Sequence, residues 1–281
     1  MKKTFLSLLS AAAVFVSVQT VDAQVKLPQA SSTTKIEQGV GIKNVTLVYQ
    51  RPNVNNRVIF GGLVPYDEVW RTGANNIPSI TFEEEVTIAG NKVPAGTYGI
   101  FSIPTKGDWT IILTKNEKQW GAYQYNKAED FVRFTAKAQK VNGKVETFTM
   151  AFENVTPKGA DLSLAWENAK VSFHIAVDQS KEIMASIEEA MKGDKKPYFQ
   201  AAQYYFNNDL DIKKAVEWAN EADKGNTKAP HIKYWRARIL LKSGDKAGAI
   251  KTATEGVEMA KAGNNEEYVK LNGQVIAEAK K

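Results

Sequence analysis

Residues 148–177 read FTMAFENVTPKGADLSLAWENAKVSFHIAV. Phe148, Met150 and Phe152 occupy alternate positions, Leu162, Leu164 and Trp166 do the same on the next strand, and Val171, Phe173, Ile175 and Val177 repeat the pattern. Apolar residues at every second position, with Thr, Ser and charged residues between them, indicate strands that bury one face. Upstream, Val45–Tyr49 and Trp109–Leu113 are rich in β-forming residues, and Val86–Ile103 predicts a hairpin turning at Gly90-Asn91. Short strands punctuated by Gly, Pro and Asn predict an antiparallel β-sandwich or jelly-roll-like barrel over residues 35–178.

The period changes to a helical one at Ser180. Ile183, Ile187 and Met191 mark a first helix with Ser180 as its N-cap, Asp194 is placed to cap a second, and Asp211 precedes the helix carrying Ala215, Ala219 and Ala222. Lys242-Ser-Gly-Asp245 stops one helix and starts another. Ala215, Ala219 and Ala222 recur as Ala249, Ala253 and Gly256, and Phe206 recurs as Leu240. That spacing resembles the tetratricopeptide repeat, in which small side chains let two helices approach closely. Lys233 and Arg236 depart from it, standing where such a repeat has an aromatic residue and a leucine. Two degenerate repeats, a leading helix and a closing helix (Glu266 to Lys280) make residues 180–281 an α-helical, tetratricopeptide-like region, expected to pack against the β domain.

Lys2 and Lys3, the apolar Phe5–Val18 and the small residues around Val21-Asp22-Ala23 have the layout of a secretory signal peptide, residues 1–23. Six of the 18 uncharged residues between Lys3 and Asp22 are polar (Thr4, Ser7, Ser10, Ser17, Gln19 and Thr20), which argues against a spanning helix. The expectation is an exported protein, periplasmic or extracellular after cleavage near Ala23, with a polar leader at 24–34 and no transmembrane segment in the mature chain. The 281 residues are 43% apolar and 24% charged, so a disordered chain is excluded. Cysteine is absent and there are two histidines, which removes disulfides, thiolate nucleophiles and lipid attachment, and predicts no metal site and no cofactor. His174 falls on the polar side of the last strand without catalytic companions, and His231 stands at a helix start.

The stretch from Tyr49 to Arg133 is more specific than a generic β pattern. YQRPNVNNRVIFGGLVPYDEVWRTGAN (49–75), VPAGTYGIFSIP (93–104), DWTIIL and QWGAYQY (within 108–125) together resemble the exported bacterial family catalogued as domain of unknown function 2911. The resemblance covers roughly residues 30–178 and implies a β domain, export and, in many members, a tetratricopeptide-like tail. The family has no established activity. Its members commonly carry an acidic residue after the GAN triplet, where this chain has Asn76.

Arg51, Arg57, Arg71, Asn75 and Asn76 crowd one loop-rich stretch, and guanidinium forks suit carboxylate or phosphate ligands. The bland alternative is that these arginines tie loops together through backbone carbonyls. Trp120, Tyr123 and Tyr125 surround Gly121 and could stack on sugars or grip a peptide, whereas Trp109 and Trp166 alternate with polar neighbours and read as core. Glu83–Glu85 reads as a solvated edge.

Gly39-x-Gly41 has Asn44 where a dinucleotide loop needs its third glycine, and GxxxxGK[ST], HExxH and GxSxG are absent. Asn207-x-Asp209-x-Asp211 fails as a calcium loop at Ile212 and Trp218. Residues 181–281 hold 18 Lys+Arg against 15 Asp+Glu, a balance that argues against nucleic acid. The expected function is therefore non-catalytic binding: the β domain recognises a small-molecule or glycan ligand or a partner, and the helices contact protein, such as an envelope protein. The alternative is a hydrolase of envelope or dietary glycan or peptide, with Asp67, Glu68, Asp108 or Glu153 acting near Arg71.

Overall fold

The structure is a computed structural model that describes residues 27–226 and 228–281. Residues 1–23, read from sequence as a signal peptide, and the first residues of the leader lie outside the described residues. The chain divides into two compact units after Val177.

The first unit contains β1 (Ser32–Val40), β2 (Lys43–Arg51), β3 (Ser79–Phe82), β4 (Val86–Ile88), β5 (Asn91–Val93), β6 (Gly96–Ile103), β7 (Trp109–Thr114), β8 (Asp130–Ala136), β9 (Ala138–Thr156) and β10 (Gly159–Ala176). They form two antiparallel sheets, ordered β1-β2-β3-β6-β7-β8 and β5-β4-β10-β9. Buried residues of both sheets share one hydrophobic cluster, including Leu47, Ile80, Ile100, Ile111, Met150, Leu164, Val171 and Ile175. β1 begins at Ser32, so the end of the polar leader pairs with β2.

The structure corrects three details of the strand reading. The tight turn is Ala89-Gly90, both residues with positive φ (48° and 79°), as a two-residue hairpin of this hand requires. The return strand is also broken in two: β5 closes the hairpin in the four-stranded sheet, and β6 belongs to the other sheet. Pro94, which has no N–H to give a ladder, and Gly96, at φ 151°, stand at the crossing. At the other end of the domain, Leu162–Trp166 and Val171–Val177 are parts of one strand, β10, up to Ala176. Its buried apolar side chains are even-numbered before Glu167 and odd-numbered after it. Register shifts on both sides of Glu167, itself at φ 54°, insert the extra residue that keeps both sets on the core face. The Glu167 carboxylate accepts hydrogen bonds from Ile59 N (3.1 Å) and Phe60 N (3.4 Å), tying a long loop to the bulge.

The second unit contains α1 (Ser180–Ala190), α2 (Tyr198–Asn207), α3 (Ile212–Asp223), α4 (Pro230–Lys242), α5 (Lys246–Ala262) and α6 (Glu266–Ala279). Asp211 caps α3 through Lys213 N and Lys214 N, and Asp245 caps α5 through Gly248 N. Ser180 is the first residue of α1 rather than its cap; its N–H and hydroxyl both donate to Asp178 Oδ1. Asp194 caps nothing, because α2 starts four residues later behind Pro197. None of these helices is long and apolar enough to cross a membrane.

The repeated small residues lie where helices come closest. Ala215, Ala219, Ala249, Ala253 and Gly256 are all buried, and a Cβ on Gly256 would stand 2.4 Å from Asn272 Oδ1 of α6. The two residues that depart from the repeat form an internal ion network. Lys233 Nζ donates to Asp223 Oδ2 and Glu255 Oε2, both at 2.8 Å. Arg236 reaches Asn220 Oδ1 (2.7 Å), Asp223 Oδ2 (3.0 Å) and Thr252 Oγ1 (3.2 Å). Burial opposes the Lys233 charge, but the hydrogen bonds it donates to Asp223 and Glu255 outweigh that and hold its pKa above the ordinary lysine value.

Removing one member of such a network leaves buried charge uncompensated. Asp223→Ala should lower the unfolding free energy by about 3 kcal/mol in urea titration, whereas Lys213→Ala at an exposed position of the same helix should stay within about 0.5 kcal/mol of wild type.

Candidate functional site

β6 and β7 are buried on both faces. Ile100, Ile111 and Leu113 face the shared core, while Phe101 and Ile112 join Ile77 in a separate cluster on the other side. That second cluster is covered by Ala122 and Tyr125, from the loop between β7 and β8. The loop is therefore fixed as an outer layer by its own apolar residues. The residues between those anchors are free to face solvent.

A second irregular segment, residues 52–78 between β2 and β3, completes the layer. Trp70 points inward, stacked on Trp166 (centroids 5.8 Å, planes 10° apart) with Phe60, Trp109 and Phe148 around it edge-on. Trp70 N and O both bond to Ser102, 2.7 Å and 3.0 Å. The next residues are strained: Thr72, fully buried, has φ 54°, Gly73 has φ 141° and Asn75 has φ 56°. A β-branched residue in the left-handed region costs of order 1–3 kcal/mol and persists only where its surroundings impose it. Here the Thr72 hydroxyl is held by Ser102 Oγ (2.8 Å) and Trp70 O (3.3 Å). The bend turns the chain outward at Ala74–Asn76.

Asn75 to Ile77 pair with the covering loop. Gly121 N donates to Asn75 O (2.8 Å), Ile77 N donates to Gln119 O (3.1 Å), and Asn76 and Trp120 form an antiparallel bridge. The Gln50 amide faces the carbonyls of Ala74 and Asn76; with its nitrogen turned toward them it donates to both, at 3.1 Å and 3.0 Å, and fastens the bend from below. Gly121 has φ 71°, and a Cβ there would stand 2.8 Å from the Tyr123 ring and 3.4 Å from Arg71 Nη1. Glycine thus lets the guanidinium and the phenol ring close on one point.

The result is an exposed aromatic pair beside polar groups without partners. Trp120 is 61% exposed and Tyr123 81%, the two aromatic residues among the large apolar side chains left exposed in the described residues. Arg71 and the side-chain amides of Asn75 and Asn76 make no hydrogen bond or ion pair among the described residues. Gln50, Asn75, Asn76 and Trp120, with Gln29 to Ser31, line a cleft of about 370 Å³. A neighbouring cleft of about 220 Å³ is lined by Gln50, Asn76, Ile77, Glu117 and Lys118, among others. Buried Gln119 keeps its Oε1 without a hydrogen-bond partner among the described residues. Stacking surfaces, amide donors and acceptors and one guanidinium can bind a small polar ring-shaped ligand without any bond-making step.

Of the residues singled out from sequence, Asn75, Asn76 and Trp120 line one cleft, and Arg71 and Tyr123 both lie beside Gly121. Arg51 does not join them; it donates to Phe148 O (3.1 Å) and Thr149 Oγ1 (2.9 Å) on β9. Arg57 closes its own turn on Val54 O (3.0 Å) and Asn53 O (2.6 Å). Tyr125 turns inward, its ring edge-on to Phe101 and its hydroxyl in a triad with Asp130 and Arg133. Gln50 carries no signal in sequence, because its role depends on which loop crosses the end of β2. Asp67, Glu68 and Asp108 are exposed, and Glu153 is engaged by Lys170 (2.7 Å) and Ser163 (3.1 Å). His174 lies on the exposed side of β10 beside Asp161 (2.6 Å), whose carboxyl is held below the usual range by hydrogen bonds from Asn154 and His174. Among the described residues no group of three or more acidic or histidine side chains is placed to hold a metal ion.

The family model described as "Protein of unknown function (DUF2911)" matches residues 31–175, more than half of the chain. The comparison with curated proteins gives no match, and the comparison with solved structures gives none either.

Burial, and then the Asp130 hydrogen bond, raise the Tyr125 pKa above 10.0, although Arg133 pulls the other way. A raised phenol pKa contributes stability that is complete below the unfolded value and lost as pH rises through the folded one. Tyr125→Phe should cost about 1 kcal/mol at neutral pH by thermal or urea unfolding. The gap to wild type should narrow above pH 10.

Proposed function

Since the chain belongs to the DUF2911 family, whose description assigns no activity, we propose from the site itself that this is an exported, non-catalytic binding protein. Its β unit, read as a sandwich, recognises a glycan-type ligand at Trp120 and Tyr123. The observation that carries this reading is the exposure of both rings on one loop, with Asn75 and Asn76 beside Trp120 in a cleft and Arg71 beside Gly121, none of these three polar side chains having a partner among the described residues. Exposed indole and phenol rings offer flat faces to the C–H faces of sugars, and amides match hydroxyl pairs with one donor and one acceptor. The guanidinium adds selectivity for an acidic substituent.

Hydrolysis by a carboxylate pair fits less well. Glu117 is the one carboxylate lining the two clefts, and retaining or inverting glycosidases need two. The helical unit, read as tetratricopeptide-like hairpins, is the half that contacts protein. Export rests on the charge and hydropathy layout of Met1–Ala23.

Titration calorimetry of the mature chain against neutral and uronic-acid oligosaccharides tests the reading. Trp120→Ala should weaken binding about tenfold, and Arg71→Gln should weaken the acidic sugars selectively. Turnover of any of these sugars, abolished by a single carboxylate substitution, would overturn it.

A further inference from the structure

Helix α4 carries four cations, Lys233, Arg236, Arg238 and Lys242, and no acidic residue. Two of the four point into the unit, where Asp223 and Glu255 neutralise them. Lys242 pairs with Asp209 and also donates to Phe206 O (2.9 Å). Arg238 has no acidic partner among the described residues. Its guanidinium carbon lies instead 4.8 Å from the ring centres of Phe206 and Trp235 and 5.4 Å from that of Tyr234.

Those rings belong to a longer chain of contacts across three helices. Phe199 of α2 meets His231 of α4 at 5.5 Å, His231 meets Tyr268 of α6 at 6.1 Å, and Tyr268 meets Tyr234 at 6.0 Å. Tyr234 then meets Trp235 at 5.8 Å, and Trp235 meets Phe206 of α2 at 5.9 Å. On α4, His231, Tyr234, Trp235, Arg238 and Lys242 recur at the spacing of one helical face. All the rings and Arg238 are half-buried, each keeping part of its surface in solvent.

From this arrangement we infer that the α2–α4–α6 face binds a peptide segment carrying a carboxylate beside apolar side chains, with Arg238 as the carboxylate anchor. The inference rests on the reading of the helical unit as the half that contacts protein, and names what that half grips. A guanidinium attracted to ring faces keeps N–H donors in its own plane, and a carboxylate accepts two of them side by side. The surrounding rings supply apolar area at little cost in side-chain freedom. Single-stranded nucleic acid would also stack on aromatic residues, but it needs open ring faces and a run of cations along its backbone. Here the neighbouring rings meet mostly edge-on, at 84° for Phe206–Trp235, 68° for Tyr234–Trp235 and 71° for Tyr234–Tyr268. Arg238 and Lys242 alone among these cations lie over the rings, and Lys242 already holds Asp209.

Fluorescence anisotropy on the full mature chain tests the inference. The probes are a short labelled peptide alternating Glu with Leu and Phe, the same peptide with Gln for Glu, and a labelled oligothymidylate. The Glu peptide should bind about tenfold more tightly than the Gln peptide. Arg238→Gln should abolish that difference with an unchanged circular-dichroism melt, Arg238→Lys should restore part of it, and Trp235→Ala should weaken both peptides. Equal binding of the two peptides, or a preference that survives Arg238→Gln, overturns the carboxylate anchor while leaving a protein-contacting face. Tighter binding of the oligothymidylate overturns the choice of partner. Failure of both peptides to bind overturns this inference and the protein-contact reading together, and leaves the sugar-binding reading of the β unit to its own test.

Discussion

The stack of Trp70 on Trp166 is the constraint on which the β unit's outer surface depends. It places a residue of an irregular segment in the centre of the aromatic core, where Phe60, Trp109 and Phe148 close around it. Each ring contributes a large buried area, and edge-to-face pairs add roughly 0.5–1.5 kcal/mol beyond it. With Trp70 fixed inward and its backbone bonded to Ser102, the chain must reverse within a few residues to reach β3. The left-handed Thr72 and Asn75 are the local consequence. Strain at the bend is thus held by burial at its root. Arg71 and the two asparagines stand at the bend because of a residue buried in the core.

Much of this fold can be read in the amino-acid order, and the failures have definite causes. Alternation in β9 and β10 is legible because one face is buried and the other wet. The change of parity at Glu167 looks like a gap between two strands, since a bulge leaves the same trace in sequence as a turn. The split between β5 and β6 is invisible for a related reason: Val93 and the residues after Gly96 share one pattern although they pair in different sheets. Small-residue spacing finds the close helix approaches at Ala249, Ala253 and Gly256. It does not find the Lys233 network, because pairing with Asp223 and Glu255 joins residues from three helices.

The site is legible only as a neighbourhood. Tyr123 and Tyr125 are two residues apart on the covering loop, yet one is exposed and the other packs on Phe101. Local sequence cannot separate them, since what divides them is the apolar surface of β6 and β7 beneath the loop. Gln50 lacks any distinguishing neighbour in sequence. Its importance arises when Ala74 and Asn76 present two carbonyls to it.

The arginines bring the two units under one argument. The chain has six. Arg51, Arg57, Arg133 and Arg236 spend their donors on carbonyls, hydroxyls or carboxylates of the protein, as partly buried guanidinium groups ordinarily must. Arg71 and Arg238 have no such partner among the described residues: Arg71 Nη1 lies beside Gly121, and Arg238 lies over Phe206, Tyr234 and Trp235. A ring face lowers the energy of a cation without consuming its hydrogen-bond donors. Arg238 is therefore held in position with its directional bonding capacity intact. A carboxylate neighbour would have fixed it equally well and left nothing for an incoming anion. Each unit thus keeps one guanidinium with its donors uncommitted among the described residues, and in the helical unit the rings hold it there.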